Sequence, residues 1–438
     1  MNRRRFSRLA MTLPIAAASA SHSSGSSAPA PKDETEQNTY AGGITDIPGF
    51  RVGHYTESRR STGCTVVLCE EGAVGGVSVR GAAPGTRETD LLDPANSVQA
   101  VHGVILSGGS AYGLDTASGV MQYLEEKGIG YPVGDAIVPI VPAAIIFDLH
   151  GRNTDIRPGK AEGYQACKNA TGGHIQEGSL GVGAGASVGK MLGVDRAMKG
   201  GLGSYSISVG DLTVAALAVA NAVGDIIDPS TGAIIAGARQ DRRSADFADI
   251  AKHLRENKIP GAEQSEEEES SNEGNSSSGN SNPSSSAEDS SATQAGSSGD
   301  QAVSRSGQQA SDASGANSSS TASKPTGNQT LEDAPGQNTT LAIVATNAAL
   351  TKSQAAKIAD MAHDGLARAV RPAHTPADGD TIFALSTGAL ADFNLSQVGH
   401  LAAEAVSHAI IRAVKTAEPA RGFPAYETLI QIRRRQQG

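Results

Sequence analysis

Residues 264–337 cannot form a core, and they divide the chain into two pieces that must fold together without them. The tract is built mainly from Ser, Gly, Asn, Ala, Glu and Asp, has no aromatic residue, and contains a single Val and a single Leu, Val303 and Leu331. Such a segment buries too little apolar surface to offset the conformational entropy of ordering it, so it reads as a disordered linker. Its eleven acidic residues against Arg305 and Lys324 supply most of the chain's formal net charge of -10. The rest of the chain is only mildly negative, which argues against nucleic acid as a partner.

The N-terminus, "MNRRRFSRLAMTLPIAAASASHSS", combines an Arg cluster, a short apolar stretch over residues 9–18 and small residues at Ala18-Ser19-Ala20. This three-part pattern predicts an export signal over residues 1–20, followed by a flexible segment over 21–41. "RRRF" also resembles the twin-arginine signal, which predicts a periplasmic or extracellular destination. The alternative is a frayed basic terminus on a cytoplasmic protein. The apolar stretch falls short of the ~20 residues that span a bilayer, so no membrane partner is expected.

Cys64, Cys69 and Cys167 make neither a disulfide framework nor a zinc motif. Cys64 and Cys69 are five apart in "CTVVLC" and would face opposite sides of a strand. The histidines show no HExxH or paired-ligand spacing, so neither a metal nor another cofactor is expected.

Without the signal, the flexible segment after it and the linker, roughly 320 residues remain, enough for one large or two modest cores. Apolar runs such as "CTVVLC", "GAVGGVSV" and "VHGVILSGG" alternate with Gly-rich turns and read as strands. Apolar spacing predicts helices over residues 112–127, 353–370 and 396–415, the last capped by Asn394 or Ser396. Strands are expected over 341–346 and 381–385, with a last short one near 426–432. The Ala-rich run "DLTVAALAVANAVGDI" fits either state by periodicity, but Asp211 and Gly224 bracket a short segment and favour a strand over 212–221. The mixture predicts an α/β (α+β) sandwich, stacked sheets covered by helices.

"GSLGVGAGASVGKMLG" invites a phosphate-loop reading and fails it, because Ala184 stands where Gly is needed and Met191 where Ser or Thr is needed. Lys190 then either snorkels to solvent or is held by close-packed backbone beside a reaction centre, where its charge would stabilise an oxyanion. Asn338-Thr339-Thr340 sits between the linker and an apolar strand. A Thr hydroxyl is a poor nucleophile without a base, and a Thr at a chain start has one in its own α-amine, which titrates near ~8. Thr339 would gain that amine only by cleavage after Asn338, although polar residues commonly open a strand after a linker. Asp378 and Asp380 flank Gly379 in "HTPADGDTIFALSTG"; they form either a turn or an acidic pair that holds an ammonium. His374 reads as structural.

Together these stretches resemble the self-processing aminopeptidases of the L-aminopeptidase D-Ala-esterase/amidase group, relatives of the β-peptidyl aminopeptidases and the nylon-oligomer hydrolase. The resemblance runs through "GGITDIPGFRVGHYTE", "GVILSGGSAYGLD", "VPIVPAAIIFDL", "GVGAGASVGK" and "ANAVGDI", then resumes with "NTTLAIVATNA" and "HTPADGDTIFALSTG". It covers nearly all of the chain except signal and linker. It implies a four-layer αββα sandwich of the N-terminal-nucleophile type, whose α-chain part (42–263) and β-chain part (339–438) share one core after autocleavage between Asn338 and Thr339.

The resemblance further implies Thr339 as nucleophile, Lys190 and Asn221 as pocket residues stabilising the oxyanion or the Thr, and Asp378 and Asp380 as the pair positioning the amine. Phe147 departs from the pattern, standing where some relatives have Tyr. The implied enzyme hydrolyses amide bonds of small peptides, amino-acid amides or amide oligomers, without cofactor, as a homo-oligomer of αβ units. The alternatives are an endo-acting oligoamide hydrolase of the nylon-oligomer type and a secreted, non-catalytic binding protein with a nicked linker.

Overall fold

The computed structural model describes residues 42–258, 338–420 and 422–437; the expected export signal, the segment after it and the linker lie outside these residues. The strands on which the site is built follow one hydrogen-bonded path: Gly201–Val209, Leu212–Ala220, Leu341–Ala348, Thr381–Leu390, Gly63–Val79, Val101–Ser107, Ala143–Ile145 and Thr86–Arg87, with Arg51–Thr56 also pairing Gly63–Val79. Leu341–Ala348 runs antiparallel to Leu212–Ala220 and parallel to Thr381–Leu390. The piece before the linker and the piece after it are therefore interleaved in one sheet.

Side-chain alternation resolves this path into two stacked sheets. On Leu212–Ala220, Val214, Ala216 and Ala218 join one core while Ala215, Leu217 and Val219 join a second. Leu341–Ala348 divides the same way, with Ala342 and Val344 on the first side and Leu341, Ile343 and Ala345 on the second. The second core is shared with Val67, Cys69, Val104 and Leu106 of the other sheet, whose opposite face sends Cys64, Val66, Leu68 and Ile105 into a third core. Helices Lys352–Ala369 and Leu395–Lys415 cover the first face, and Thr116–Glu125 and Lys160–Lys168 cover the third. The result is the expected αββα order of layers. Strands buried on both faces read as unbroken apolar runs, which is why periodicity alone left Leu212–Ala220 undecided.

Several elements refine the sequence reading. "CTVVLC" and "GAVGGVSV" are halves of one long strand, Gly63–Val79, whose register against Val101–Ser107 shifts between Leu68 and Ala73, so that its two halves serve different sheets. Cys64 and Cys69 do face opposite cores. The helix expected over 112–127 opens with a 3-10 turn, Ser110–Asp115, before Thr116–Glu125. Asn394 caps Leu395–Lys415 by accepting the Gln397 N–H.

The strand expected near residues 426–432 is instead a helix, Tyr426–Gln437. Leu429 is buried and Ile432, three positions on, packs against the same core, a helical stripe that the short run of apolar residues disguised. Among the described residues no helix is long and apolar enough to cross a membrane.

Candidate active site

Thr339 stands two residues before the strand Leu341–Ala348, and the sheet order determines its neighbours. Leu341 is paired with Val219 on one side and Thr381 on the other. The residues just past the first strand's end and just before the second strand's start, Asn221 and the Asp378-Gly379-Asp380 turn, therefore flank Thr339. All of them are buried: Asn338, Lys190 and Asn221 are 0% exposed and Thr339 1%.

On the nitrogen side, the Thr339 N–H donates to the main-chain oxygen of Asn221 over 3.1 Å. Lys190 Nζ donates to that same oxygen and to Asn221 Oδ1, each over 3.0 Å. Asn221 Oδ1 also accepts the Ser187 N–H, and Asn221 Nδ2 donates to the main-chain oxygen of Phe147 over 3.4 Å. On the carbonyl side, Thr339 Oγ1 donates to the Asn338 oxygen over 2.5 Å, and the Gly379 N–H donates to that oxygen over 2.8 Å. The Asn338 side-chain amide is buried with neither its oxygen nor its nitrogen hydrogen-bonded.

The acidic turn is itself anchored. Asp380 Oδ1 accepts the Thr340 N–H over 2.7 Å, while Asp378 Oδ2 accepts the N–H and Oγ1–H of Thr375 over 2.9 and 2.6 Å. The chain leaving Gly63–Val79 closes over the turn, with the Arg80 N–H on the Asp380 oxygen and the Ala83 N–H on the Asp378 oxygen. Gly81 makes that closure possible, because a Cβ there would lie 2.3 Å from backbone atoms of both Asp378 and Asp380.

Burial sets the electrostatics. It lowers the Lys190 ammonium to about 7, against the upward pull of Asp378, Asp380 and Asp148. Burial, reinforced by the like charge of Asp380, raises Asp378 to about 6. The solvent-snorkelling reading of Lys190 is thus overturned: its ammonium finds carbonyl oxygens in the interior instead of water. The Asp378-Gly379-Asp380 segment is a turn, as one of its two readings had it, and its two carboxyls are buried, bonded to Thr340, His374 and Thr375.

The structure gathers every residue singled out from the sequence, Asn338, Thr339, Lys190, Asn221, Asp378 and Asp380, into one cluster. Sequence reasoning missed the Gly379 amide, a main-chain group that leaves no side-chain signature; a Gly between two acids was its only trace. It read His374 as structural, and the His374 ring donates to Asp380.

Four layers with a buried Thr at the head of a central strand make this an N-terminal-nucleophile-type hydrolase fold. The solved L-aminopeptidase D-Ala-esterase/amidase of Ochrobactrum anthropi, described as a variant of the Ntn-hydrolase fold, superposes with a TM-score of 0.53 at 17% identity over 90% of this chain and 94% of that one, and a Burkholderia sp. β-aminopeptidase with a TM-score of 0.54 at 18% identity over 90% and 93%. The chain belongs to Peptidase family S58, whose model matches residues 42–427, and is a peptidase-class hydrolase. A protein of Mycobacterium tuberculosis named as an uncharacterized aminopeptidase is 36% identical over 409 residues, covering 88% of this chain and 97% of that protein. A 6-aminohexanoate-oligomer endohydrolase of Kocuria sp. is 27% identical over 387 residues, covering 84% and 85%.

Proposed function

We propose that the chain cuts itself between Asn338 and Thr339, and that Thr339, as the new chain start, hydrolyses amide bonds of small peptides, amino-acid amides or amide oligomers. The observation that carries this reading is the setting of one peptide bond. Its carbonyl oxygen faces Thr339 Oγ1 and the Gly379 N–H, and its nitrogen is held by Asn221.

In the first step Oγ1 attacks the Asn338 carbonyl carbon, and the Gly379 N–H stabilises the oxyanion that forms. The C–N bond then breaks, the hydroxyl proton ends on the Thr339 nitrogen, and Asn338 is left as an ester. Water hydrolyses the ester to the Asn338 carboxylate and restores the hydroxyl. Lys190, titrating near 7, is suited to take up and return that proton. The buried, unbonded Asn338 amide raises the energy of the uncut state and favours its release.

In turnover the freed Thr339 amine accepts the hydroxyl proton, a substrate carbonyl occupies the place Asn338 vacates, and the acyl-enzyme is hydrolysed. Lys190 and Asn221 hold the amine from one side; Asp380 fixes Thr340 from the other. The names of the relatives span aminopeptidase and oligomer endohydrolase, so endo action on oligoamides is the second reading. Export and assembly into a homo-oligomer of αβ units belong to the same proposal. A panel of aminoacyl p-nitroanilides and 6-aminohexanoate oligomers, run on wild type and Thr339→Ala, tests it. Hydrolysis by wild type and none by the variant is expected; equal hydrolysis by both overturns it.

A further inference from the structure

Outside the groups that touch the scissile bond, one side chain is built into the site with unusual care. His374 has φ of +57°, in the left-handed region that few residues with a side chain adopt. That conformation aims two donors at one atom: the His374 main-chain N–H reaches Asp380 Oδ2 over 3.0 Å and ring Nδ1 reaches it over 2.8 Å. Because a carboxylate oxygen accepts, Nδ1 carries the proton. The ring's other nitrogen, Nε2, is buried with no hydrogen-bond partner.

The ring is wedged from behind by His363, whose ring lies 4.8 Å away at 72°. His363 is fixed in turn, since its Nε2 donates to the Ser78 carbonyl over 3.0 Å, and burial lowers its pKa to about 4, which keeps it neutral. With Oδ2 occupied by His374, the other Asp380 oxygen is left for the Thr340 N–H. Thr340 is pinned at its far side as well, its carbonyl accepting the Thr381 N–H over 3.3 Å. A chain of contacts therefore runs from His363 through His374 and Asp380 to the residue bonded to the nucleophile.

We propose that His374 is a positioning residue of the self-cleavage and hydrolysis centre, acting through Asp380 to set the place of Thr339 Oγ1 against the carbonyl it attacks. The inference rests on the self-cleaving reading above. Small displacements of an attacking atom are costly: an error of ~1 Å lowers a rate about 100-fold.

The test uses substitutions that tolerate the left-handed backbone. His374→Gly keeps the main-chain N–H and removes the ring; His374→Asn restores a side-chain donor near the position of Nδ1. The time course of cleavage in full-length protein, and kcat and KM of the cut enzyme, are measured at temperatures where melting curves show each variant folded. The expected result is a loss of about 100-fold in cleavage rate and kcat for His374→Gly, with KM nearly unchanged. Recovery to within about 5-fold is expected for His374→Asn, a smaller displacement by the same reasoning.

A double-mutant cycle gives the second reading: His374→Gly combined with Asp380→Asn should be no slower than Asp380→Asn alone. If His374→Gly fails to fold, the cycle is run with His374→Asn, whose smaller loss should likewise vanish in the Asp380→Asn background. Wild-type rates in a folded His374→Gly protein, or fully multiplicative effects in the cycle, overturn the proposal. Absence of any cut in wild type would instead overturn the underlying functional reading, so the two failures are distinguishable.

Discussion

The Gly379 N–H donates to the Asn338 carbonyl oxygen over 2.8 Å, a main-chain group from the neighbouring acidic turn polarising the very bond at which the chain is proposed to divide. The contact follows from sheet order, because Thr381–Leu390 lies parallel to and beside Leu341–Ala348. A Cβ on Gly379 would lie 2.6 Å from the Ala83 oxygen and 2.8 Å from Thr339 Oγ1. Gly379→Ala is therefore expected to displace the donor and slow cleavage by about 100-fold or more. Gel densitometry over time checks this; wild-type kinetics in a folded variant would remove Gly379 from the mechanism.

The proposed proton-accepting role of Lys190 predicts how the reaction depends on pH. Its pKa is depressed from 10.5 to about 7, so the neutral, proton-accepting form grows about tenfold per pH unit from pH 5 upward and saturates above about 7. The cleavage rate of freshly refolded protein should rise and level in that order. Lys190→Arg, charged throughout, should abolish the rise together with most of the rate. A rate that falls through pH 7 would mean that the ammonium, acting as a cation, is the working form.

How much of this was legible beforehand differs by residue. Thr339, Lys190, Asp378 and Asp380 stood in stretches with recognisable character, and Asn221 came from the resemblance alone; the structure gathers all of them. Leu341–Ala348 and Thr381–Leu390 were visible as strands because their apolar runs are short and bounded by polar residues. The helix Tyr426–Gln437 was not, since its buried stripe rests on Leu429 and Ile432 alone. Neither was the Gly379 amide, because backbone donors have no letter of their own. His374 read as structural, but its bond to Asp380 could not be seen, because that partner is six residues away around a turn whose geometry the sequence does not specify.

Stability behind the site should depend on a buried ion pair. Arg60 Nη2 lies 2.6 Å from Asp148 Oδ1, the two side chains 2% and 0% exposed, and Thr62 Oγ1 and the Gly109 N–H also donate to the carboxylate. Removing one partner strands a buried charge, so Arg60→Met should cost about 3–5 kcal/mol in urea unfolding. Asp148 is next to Phe147, whose carbonyl bonds Asn221, so cleavage should slow as well. A loss under about 1 kcal/mol, the range of an exposed pair, would contradict this.

The unbonded Asn338 amide makes a prediction of opposite sign. In the uncut Thr339→Ala background, Asn338→Leu replaces two buried, unsatisfied polar atoms with apolar ones of similar shape. It should stabilise the protein by about 1–2 kcal/mol, seen as a higher Tm. A destabilised variant would show that the amide has partners in solution.

N-terminal sequencing combined with intact mass, on wild type and on Thr339→Ala prepared identically, tests the central claim most directly. The account predicts a wild-type fragment of residues 339–438 opening Thr-Thr-Leu-Ala, appearing at a rate independent of protein concentration, and a Thr339→Ala chain that stays joined across Asn338. A wild-type protein that hydrolyses amides while still whole, or a variant cut at the same bond, would contradict it.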